Sequence, residues 1–249
     1  MAKYKSLFDV QGTLGEVTFY KGEDGQYVRR KGGVSKNRIL KDPNFERTRE
    51  NLSEFGRAAT SGKLMRRAIN SLMLDAKDSR VTSRLTKVLN QVKNEDLTSA
   101  RGQRNVATGL ANPLGRARLK GFNFNAKSEL DTVLMAQYTL DSATGEIVIS
   151  DLIPNQQISA PEGATHLSFS AGFLNLDLAT ETKDLQLSNV VNLPINGIAS
   201  TVTLTPAVPA VGTGQSYYVL KVAFFQEING IQYPLKNGAF NALQLIELL

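Results

Sequence analysis

The chain has 249 residues, of which 41% are apolar and 21% charged, with no cysteine and one histidine. These proportions are typical of a globular chain with one large domain or two ordinary ones, which argues against wholesale disorder. The lack of cysteine excludes disulfides, thiolate nucleophiles and cysteine-bound metals, and the single His166 excludes mechanisms that need two imidazoles. We therefore predict a protein that is not an enzyme, with no catalytic residue, no metal site and no cofactor.

Charge is distributed unevenly along the sequence. The chain has a net charge of +6, but residues 1–127 hold 26 basic and 12 acidic residues, whereas residues 128–249 hold 3 basic and 11 acidic residues. The two regions therefore carry about +14 and −8. A change this sharp indicates two regions with different surfaces, and it suggests contacts with phosphates or between copies of the chain.

The first half is predicted to combine a short β-ribbon with helices. Residues 4–30, which include Leu7 and Phe8, alternate like strands, and Asp24-Gly25 is a hairpin signal. Residues 36–95 have helical periodicity, with a helix start at Asp42-Pro43. We expect the first helix to stop near Gly56 or to continue to residues 60–62. Residues 96–125 are expected to form a polar connector with a turn at Asn112-Pro113.

From about residue 130 the apolar period changes to two, which indicates strands. Residues 130–139 are predicted to form one strand, and residues 146–152 its hairpin partner. A change of phase near Gly172 suggests a bulge or bend, and Asn229-Gly230 is a strong hairpin signal. About eight strands at this spacing are typical of an antiparallel sandwich or jelly roll. The predicted fold is therefore α+β, with a basic domain over residues 1–127 and an acidic sandwich over residues 128–249.

No run of 18 apolar residues occurs, and the N-terminal residues lack a signal-peptide core. We expect synthesis in the cytoplasm and no membrane partner. If the protein assembles, it is expected to leave the cell within the assembled particle.

The candidate contact residues follow from the charge. The basic side chains that we expect to contact acidic patches or phosphates are Arg29, Arg30, Lys31, Arg47, Arg49 and Arg57. The acidic counter-patch is expected to contain Asp177, Glu181 and Asp184. Aromatic residues near the first arginines suggest stacking on nucleic acid, although interleaved glutamates are more typical of a salt-bridged helix face.

The first 60 or so residues resemble a bacterial protein family for which no activity is known. The matching residues include Gly12-Thr13-Leu14-Gly15, Thr18-Phe19-Tyr20-Lys21, Lys31-Gly32-Gly33-Val34-Ser35 and Asp42-Pro43-Asn44-Phe45. Because the family has no known activity, the resemblance implies no catalytic or binding residue.

Three functions stay open from the sequence. The first is a non-enzymatic, self-assembling structural protein, a subunit of a filament, tube or phage-like particle with head-to-tail basic-to-acidic contacts. The second is a nucleic-acid-binding or packaging protein that uses the basic half. The third, an enzyme or carbohydrate-binding sandwich, is disfavoured because the chain has no cysteine, no tryptophan and no second histidine.

Overall fold

The computed structural model describes residues 2–4 and 10–249, so the predicted strand residues Leu7 and Phe8 lie outside the described part. The chain forms two compact units, residues 1–49 and residues 50–249. The predicted division between residues 127 and 128 falls inside the second unit, because helices before it and strands after it share one apolar core.

The first unit contains a small antiparallel sheet followed by short helices. Its four strands are β1 (Ala2–Lys3), β2 (Gly12–Leu14), β3 (Val17–Gly22) and β4 (Gly25–Arg30), in the order β1-β4-β3-β2. Helix α1 (Lys36–Lys41) begins after Ser35, whose side chain accepts a hydrogen bond from the Arg38 amide. Asp42 then caps a 3₁₀ turn over Pro43–Phe45, which confirms the predicted helix start.

The helices of the second unit begin with a helix that is longer than predicted. Helix α2 (Glu46–Ala68) starts in the first unit and runs through Gly56, because one exposed glycine costs a helix only about 1 kcal/mol. Two further helices lie in the segment predicted to be a connector, where Asn112 caps a helix at Pro113 instead of forming a turn. The remaining helices are α3 (Asn70–Met73), α4 (Val81–Val92), α5 (Val106–Ala111), α6 (Pro113–Leu119), α7 (Leu130–Val133) and α8 (Pro154–Gln157), with 3₁₀ turns at Lys93–Glu95 and Leu235–Gly238.

The strands of the second unit are all antiparallel. They are β5 (Thr139–Leu140), β6 (Ile147–Leu152), β7 (His166–Leu176), β8 (Lys183–Leu187), β9 (Val191–Pro194), β10 (Ser200–Leu204), β11 (Gln215–Ile228), β12 (Ile231–Pro234) and β13 (Ala242–Leu248). A six-stranded sheet is built on the β7–β11 pair, with β8 and β9 beside β7 and with β12 and β13 beside β11. A three-stranded sheet has the order β10-β6-β5. The predicted Asn229-Gly230 hairpin joins β11 to β12.

The large sheet has an apolar core on each face. On one face, Leu174, Tyr217 and Leu243 pack with the helices. On the other, Phe169 and Leu220 pack with residues of the small sheet, including Ile149. The order is therefore a helical layer, the large sheet and then the small sheet, and the predicted α+β class with a sandwich of antiparallel sheets is confirmed.

Two local predictions are wrong. Of the bulge or bend predicted near Gly172, the bulge is wrong, because β7 pairs with β11 without a register shift; the apolar phase changes because the strand is buried on both faces. Gly172 faces the helices, where an added Cβ would lie 2.8 Å from a Leu72 methyl. The predicted strand over residues 130–139 begins as helix α7, continues through an isolated antiparallel bridge between Leu134 and Ile158, and is a regular strand only at Thr139–Leu140. Among residues 2–4 and 10–249, no helix is both long and apolar enough to cross a membrane.

Candidate assembly and nucleic-acid interface

The N-terminal sheet has one apolar face. Directly paired residues of an antiparallel sheet share a face, and Phe19 pairs with Val28 while Leu14 pairs with Val17. Tyr4 packs edge-on against Phe19, with ring centroids 5.3 Å apart. The result is a continuous patch of aromatic and aliphatic side chains on a sheet of only four strands.

The opposite face combines cations with stacked tyrosines. Tyr20 and Tyr27 pair across β3 and β4, and their rings stack with centroids 5.7 Å apart. The Lys3 ammonium lies 5.8 Å from the Tyr27 ring centroid, and the Arg29 guanidinium lies 5.5 Å from that of Tyr20. Each such contact contributes about 0.5–1 kcal/mol at an exposed site. The sequence indicated aromatic residues near Arg29. It did not indicate a role for Lys3, which lies on this face because β1 pairs with β4.

In the described part of the chain, the residues of this sheet are half-buried or exposed. None of the described residues between 2 and 49 is buried, and Leu14 is 75% exposed. A sheet with one apolar face is stabilised when that face packs against another element. Within the described residues, the outer edge of β2 also has no partner strand.

The three predicted cations at the end of β4 differ in their contacts. Arg29 is exposed and lies on the tyrosine face. Arg30 lies on the other side of the strand, where its Nη2 is 2.7 Å from a carboxylate oxygen of Glu16. Lys31 is exposed, and its backbone amide donates to the Glu16 carbonyl. Arg29 and Lys31 thus leave their charge to solvent or a partner, whereas Arg30 already has a weak, exposed ion pair.

The other predicted cations lie on α2. Arg47 is exposed, whereas Arg49 donates to the backbone carbonyls of Ile39 and Asp42 and thereby fixes the turn before the helix. Arg57 lies in the second unit, where its Nη2 donates to the Gln103 side chain at 2.9 Å. The predicted basic set is therefore divided between the two units.

The predicted acidic residues surround two loops of the large sheet. Asp177 accepts hydrogen bonds from the amides of Ala179 and Thr180, which hold the pKa of its carboxyl below the ordinary value. Asp184 accepts from the Val211 amide at 2.8 Å. Asp177 therefore orders its own loop, and Asp184, in β8, orders the loop that contains Val211.

Arg57 and Glu181 line the same surface cavity of about 500 Å³, together with apolar side chains such as Leu64 and Leu178. The structure thus brings one predicted cation and one predicted anion together within a single chain. Across the described residues, no group of three or more histidine, aspartate or glutamate side chains is arranged to hold a metal ion.

The two structural units differ in net charge. Residues 1–49 hold 11 basic and 6 acidic residues, and residues 50–249 hold 18 and 17. The second unit is nearly neutral overall, with its basic residues mainly before residue 128 and its acidic residues mainly after it. The small first unit therefore carries most of the net charge.

Protein-family models, curated proteins and solved structures were compared with the chain, and none matches it. Functional inference therefore rests on the residues of this chain.

Proposed function

We propose that this protein is a non-enzymatic, self-assembling structural subunit whose N-terminal sheet binds the next copy of the chain. The observation that carries the proposal is the apolar face of Tyr4, Leu14, Phe19 and Val28, in a unit with no buried described residue; Leu14 is exposed and the other three are half-buried. A sheet with one apolar face gains stability by burying that face against another element. A neighbouring copy supplies it by packing on this face or by adding a strand to β2.

Charge complementarity supports a second copy as the partner. The first unit carries about +5, and residues 128–249 carry about −8. A contact between unlike regions of two copies joins different surfaces of the subunit. When it repeats from copy to copy, it produces rings if the rotation between neighbours returns to the first copy and filaments if it does not.

The direct test is negative-stain electron microscopy of nuclease-treated protein at physiological salt, with sedimentation velocity on the same sample. We expect regular rings, tubes or filaments. Monomers throughout a concentration series would overturn the proposal. Nuclease treatment ensures that any assembly observed does not depend on nucleic acid.

Leu14→Glu tests the apolar contact. Leu14 is already exposed, so the substitution should leave the monomer folded while placing a charge in the proposed interface. Leu97→Glu is the matched control, because Leu97 is 81% exposed and lies in the second unit. We expect assembly to be lost in the first variant and retained in the second. Equal assembly by both variants would exclude Leu14 from the contact.

Charge reversal tests the electrostatic part. Arg29→Glu/Arg30→Glu should weaken assembly, and raised salt should weaken assembly of the natural chain in the same direction. Lys87→Glu/Lys127→Glu makes the same charge change at two exposed lysines of the second unit. If both double variants weaken assembly equally, net charge is responsible and the first unit has no special role.

The tyrosine face supports a second candidate function, single-strand nucleic-acid binding. Stacked rings flanked by cations are the elements that hold bases and phosphates. This candidate predicts that labelled oligothymidylate binds with an affinity that falls with salt, and that Tyr27→Ala weakens binding by about 1–3 kcal/mol. Tyr138→Ala, at a half-buried tyrosine of the second unit, is the control. Absence of binding at low salt would exclude this function.

A further inference from the structure

A cation-rich cavity lies in the second unit, between the end of α2, α3 and the start of α4. Its volume is about 410 Å³. Four of the side chains that line it are basic: Lys63, Arg66, Arg67 and Lys77. The spacing of Lys63, Arg66 and Arg67 places them on one face of α2. The buried side chains of Met73 and Val81 also line the cavity.

These four cations have no counter-charge in the described part of the chain. The side chains of Lys63, Arg66, Arg67 and Lys77 make no hydrogen bond or ion pair to any residue among 2–4 and 10–249. Elsewhere in the same helical layer, carboxylates are matched to cations, as in Glu54 with Lys93 and Glu95 with Arg118. Unmatched positive charge is therefore concentrated at this cavity.

The acid that lines the cavity is already engaged. Asp78 pairs with Arg84, and its carboxylate also accepts from the backbone amides of Arg80 and Ala126. Burial opposes ionisation of Asp78, but these hydrogen bonds outweigh it and hold its pKa below the ordinary value. Asp78 therefore stays ionised, but its carboxylate oxygens bond to Arg84 and to backbone amides and not to the four cations.

Arg66 lines the cavity with part of its side chain. Its Nη1 is buried and has no hydrogen-bond partner within the described residues. A Cβ added at Gly62 would lie 3.4 Å from this nitrogen and 3.2 Å from a Leu89 methyl, so the guanidinium folds back against apolar side chains. This nitrogen is therefore closed off from solvent, and only the other atoms of the Arg66 side chain can face a ligand in the cavity.

The start of α4 adds a weaker contribution. Val81 and Thr82, the first residues of this 12-residue helix, line the cavity with Ser79. The N-terminal end of a helix carries partial positive charge, and hydroxyl groups donate to oxyanions. The helix end and the hydroxyl groups therefore favour a bound anion, as the four cationic side chains do.

We propose that this cavity binds a phosphate group, either as the free ion or as a monoester of a small organic molecule. Four cations suit a dianion, and the planar guanidinium of Arg66 suits paired oxygen acceptors. The apolar side chains of Met73 and Val81 provide contacts for an organic substituent. This site is independent of the proposed assembly contact, which uses residues 1–49.

Isothermal titration calorimetry of the full chain tests the site with two probes, inorganic phosphate and phenyl phosphate, at constant ionic strength in chloride. We expect saturable binding of at least one probe. Tighter binding of phenyl phosphate identifies a monoester as the ligand, and equal binding identifies the free ion. Absence of saturable binding of both probes at millimolar concentration would overturn the proposal.

Matched variants locate the binding. Lys63→Gln/Lys77→Gln removes two exposed charges from the cavity, and Lys87→Gln/Lys127→Gln removes two exposed charges elsewhere in the unit. We expect affinity to fall about tenfold or more in the first pair and to stay unchanged in the second. Equal weakening in both would show diffuse attraction and contradict a defined site.

Arg66→Gln should abolish binding, provided that circular dichroism shows a folded protein. If this variant unfolds, the two lysine double variants still decide the outcome, because their side chains are exposed. Electron microscopy of the same preparations shows whether each variant still forms particles. Loss of phosphate binding can therefore be distinguished from loss of assembly.

Discussion

The Nζ of Lys93 lies 2.5 Å from Oε2 of Glu54, and the two residues are only 9% and 3% exposed. The other carboxylate oxygen of Glu54 accepts from the Gly102 amide at 2.8 Å. Burial opposes ionisation of Glu54, but the hydrogen bonds from Lys93 and Gly102 outweigh it and lower its pKa. This pair connects α2 to the turn after α4 and to the loop before α5.

Removing one member of this pair should strongly destabilise the second unit. Glu54→Gln leaves the Lys93 ammonium buried without its counter-charge, and we expect the free energy of unfolding to fall by about 3–5 kcal/mol. Urea unfolding followed by circular dichroism measures the change. Glu162→Gln, at an exposed position, should stay within about 0.5 kcal/mol of the natural chain. A similar small effect for Glu54→Gln would contradict the importance of the pair.

Asp96 should dominate the acid sensitivity of the helical layer. Burial opposes its ionisation, but its carboxylate accepts from Ser99, Asn105 and Thr98, which lowers its pKa to about 2. Because the folded-state pKa lies below the ordinary 3.8, the stabilisation is complete above that value and is lost as the pH falls toward 2.

The measurement is the unfolding free energy of the natural chain and of Asp96→Asn between pH 7 and pH 2. We expect the variant to be less stable at pH 7 and to have a shallower decline below pH 4. Parallel curves for the two proteins would show that other carboxylates control the acid limb.

Two glycine substitutions should have opposite signs. A Cβ at Gly115 would lie 2.0 Å from the Gly109 carbonyl oxygen, so Gly115→Ala forces α5 and α6 apart and should cost about 1–3 kcal/mol. Gly56, within α2, has nothing within 4 Å of the added Cβ. Gly56→Ala should therefore increase stability by about 1 kcal/mol. Thermal unfolding of both variants checks the prediction, and a shift of the same sign in both would contradict it.

Hydrogen exchange should separate the two units. Without buried side chains, the amides of residues 10–49 should exchange rapidly in the unassembled Leu14→Glu variant, whereas β7 and β11 should be protected. In assembled natural protein, the amides of β2 and β3 should become slower. Unchanged exchange in these strands on assembly would place the contact elsewhere.

Strands with strong local signals were predictable, and closely packed short helices were not. Asn229-Gly230 determines its hairpin by backbone conformation alone, so the sequence was sufficient there. Helices α5 and α6 have six and seven residues, too few to show a clear helical period. Gly109 and Gly115 look like turn residues in sequence, but they allow two backbones to approach closely.

Strand β7 was misinterpreted for a different reason. The alternation of apolar residues was correct on each face, but only the tertiary structure shows that helices cover the second face. At the candidate interface, the sequence indicated charge and aromatic content. It favoured salt bridges along the helix, but Arg49 donates to backbone carbonyls and Arg57 to Gln103. These partners, and the Glu16 partner of Arg30, depend on the folded loops.

The pairing of residues 121–124 with β13 has a consequence for biosynthesis. The Gly121 amide donates to Leu245, Phe124 donates to Leu243, and Leu245 returns a bond to Phe122. Leu243 and Leu245 also belong to the core that the helices share. While the ribosome makes the strands between them, the helices therefore expose their apolar stripes. The core of the helical layer is complete only after β13 emerges, and the apolar side chains that β13 covers stay exposed to aggregation and chaperones until then.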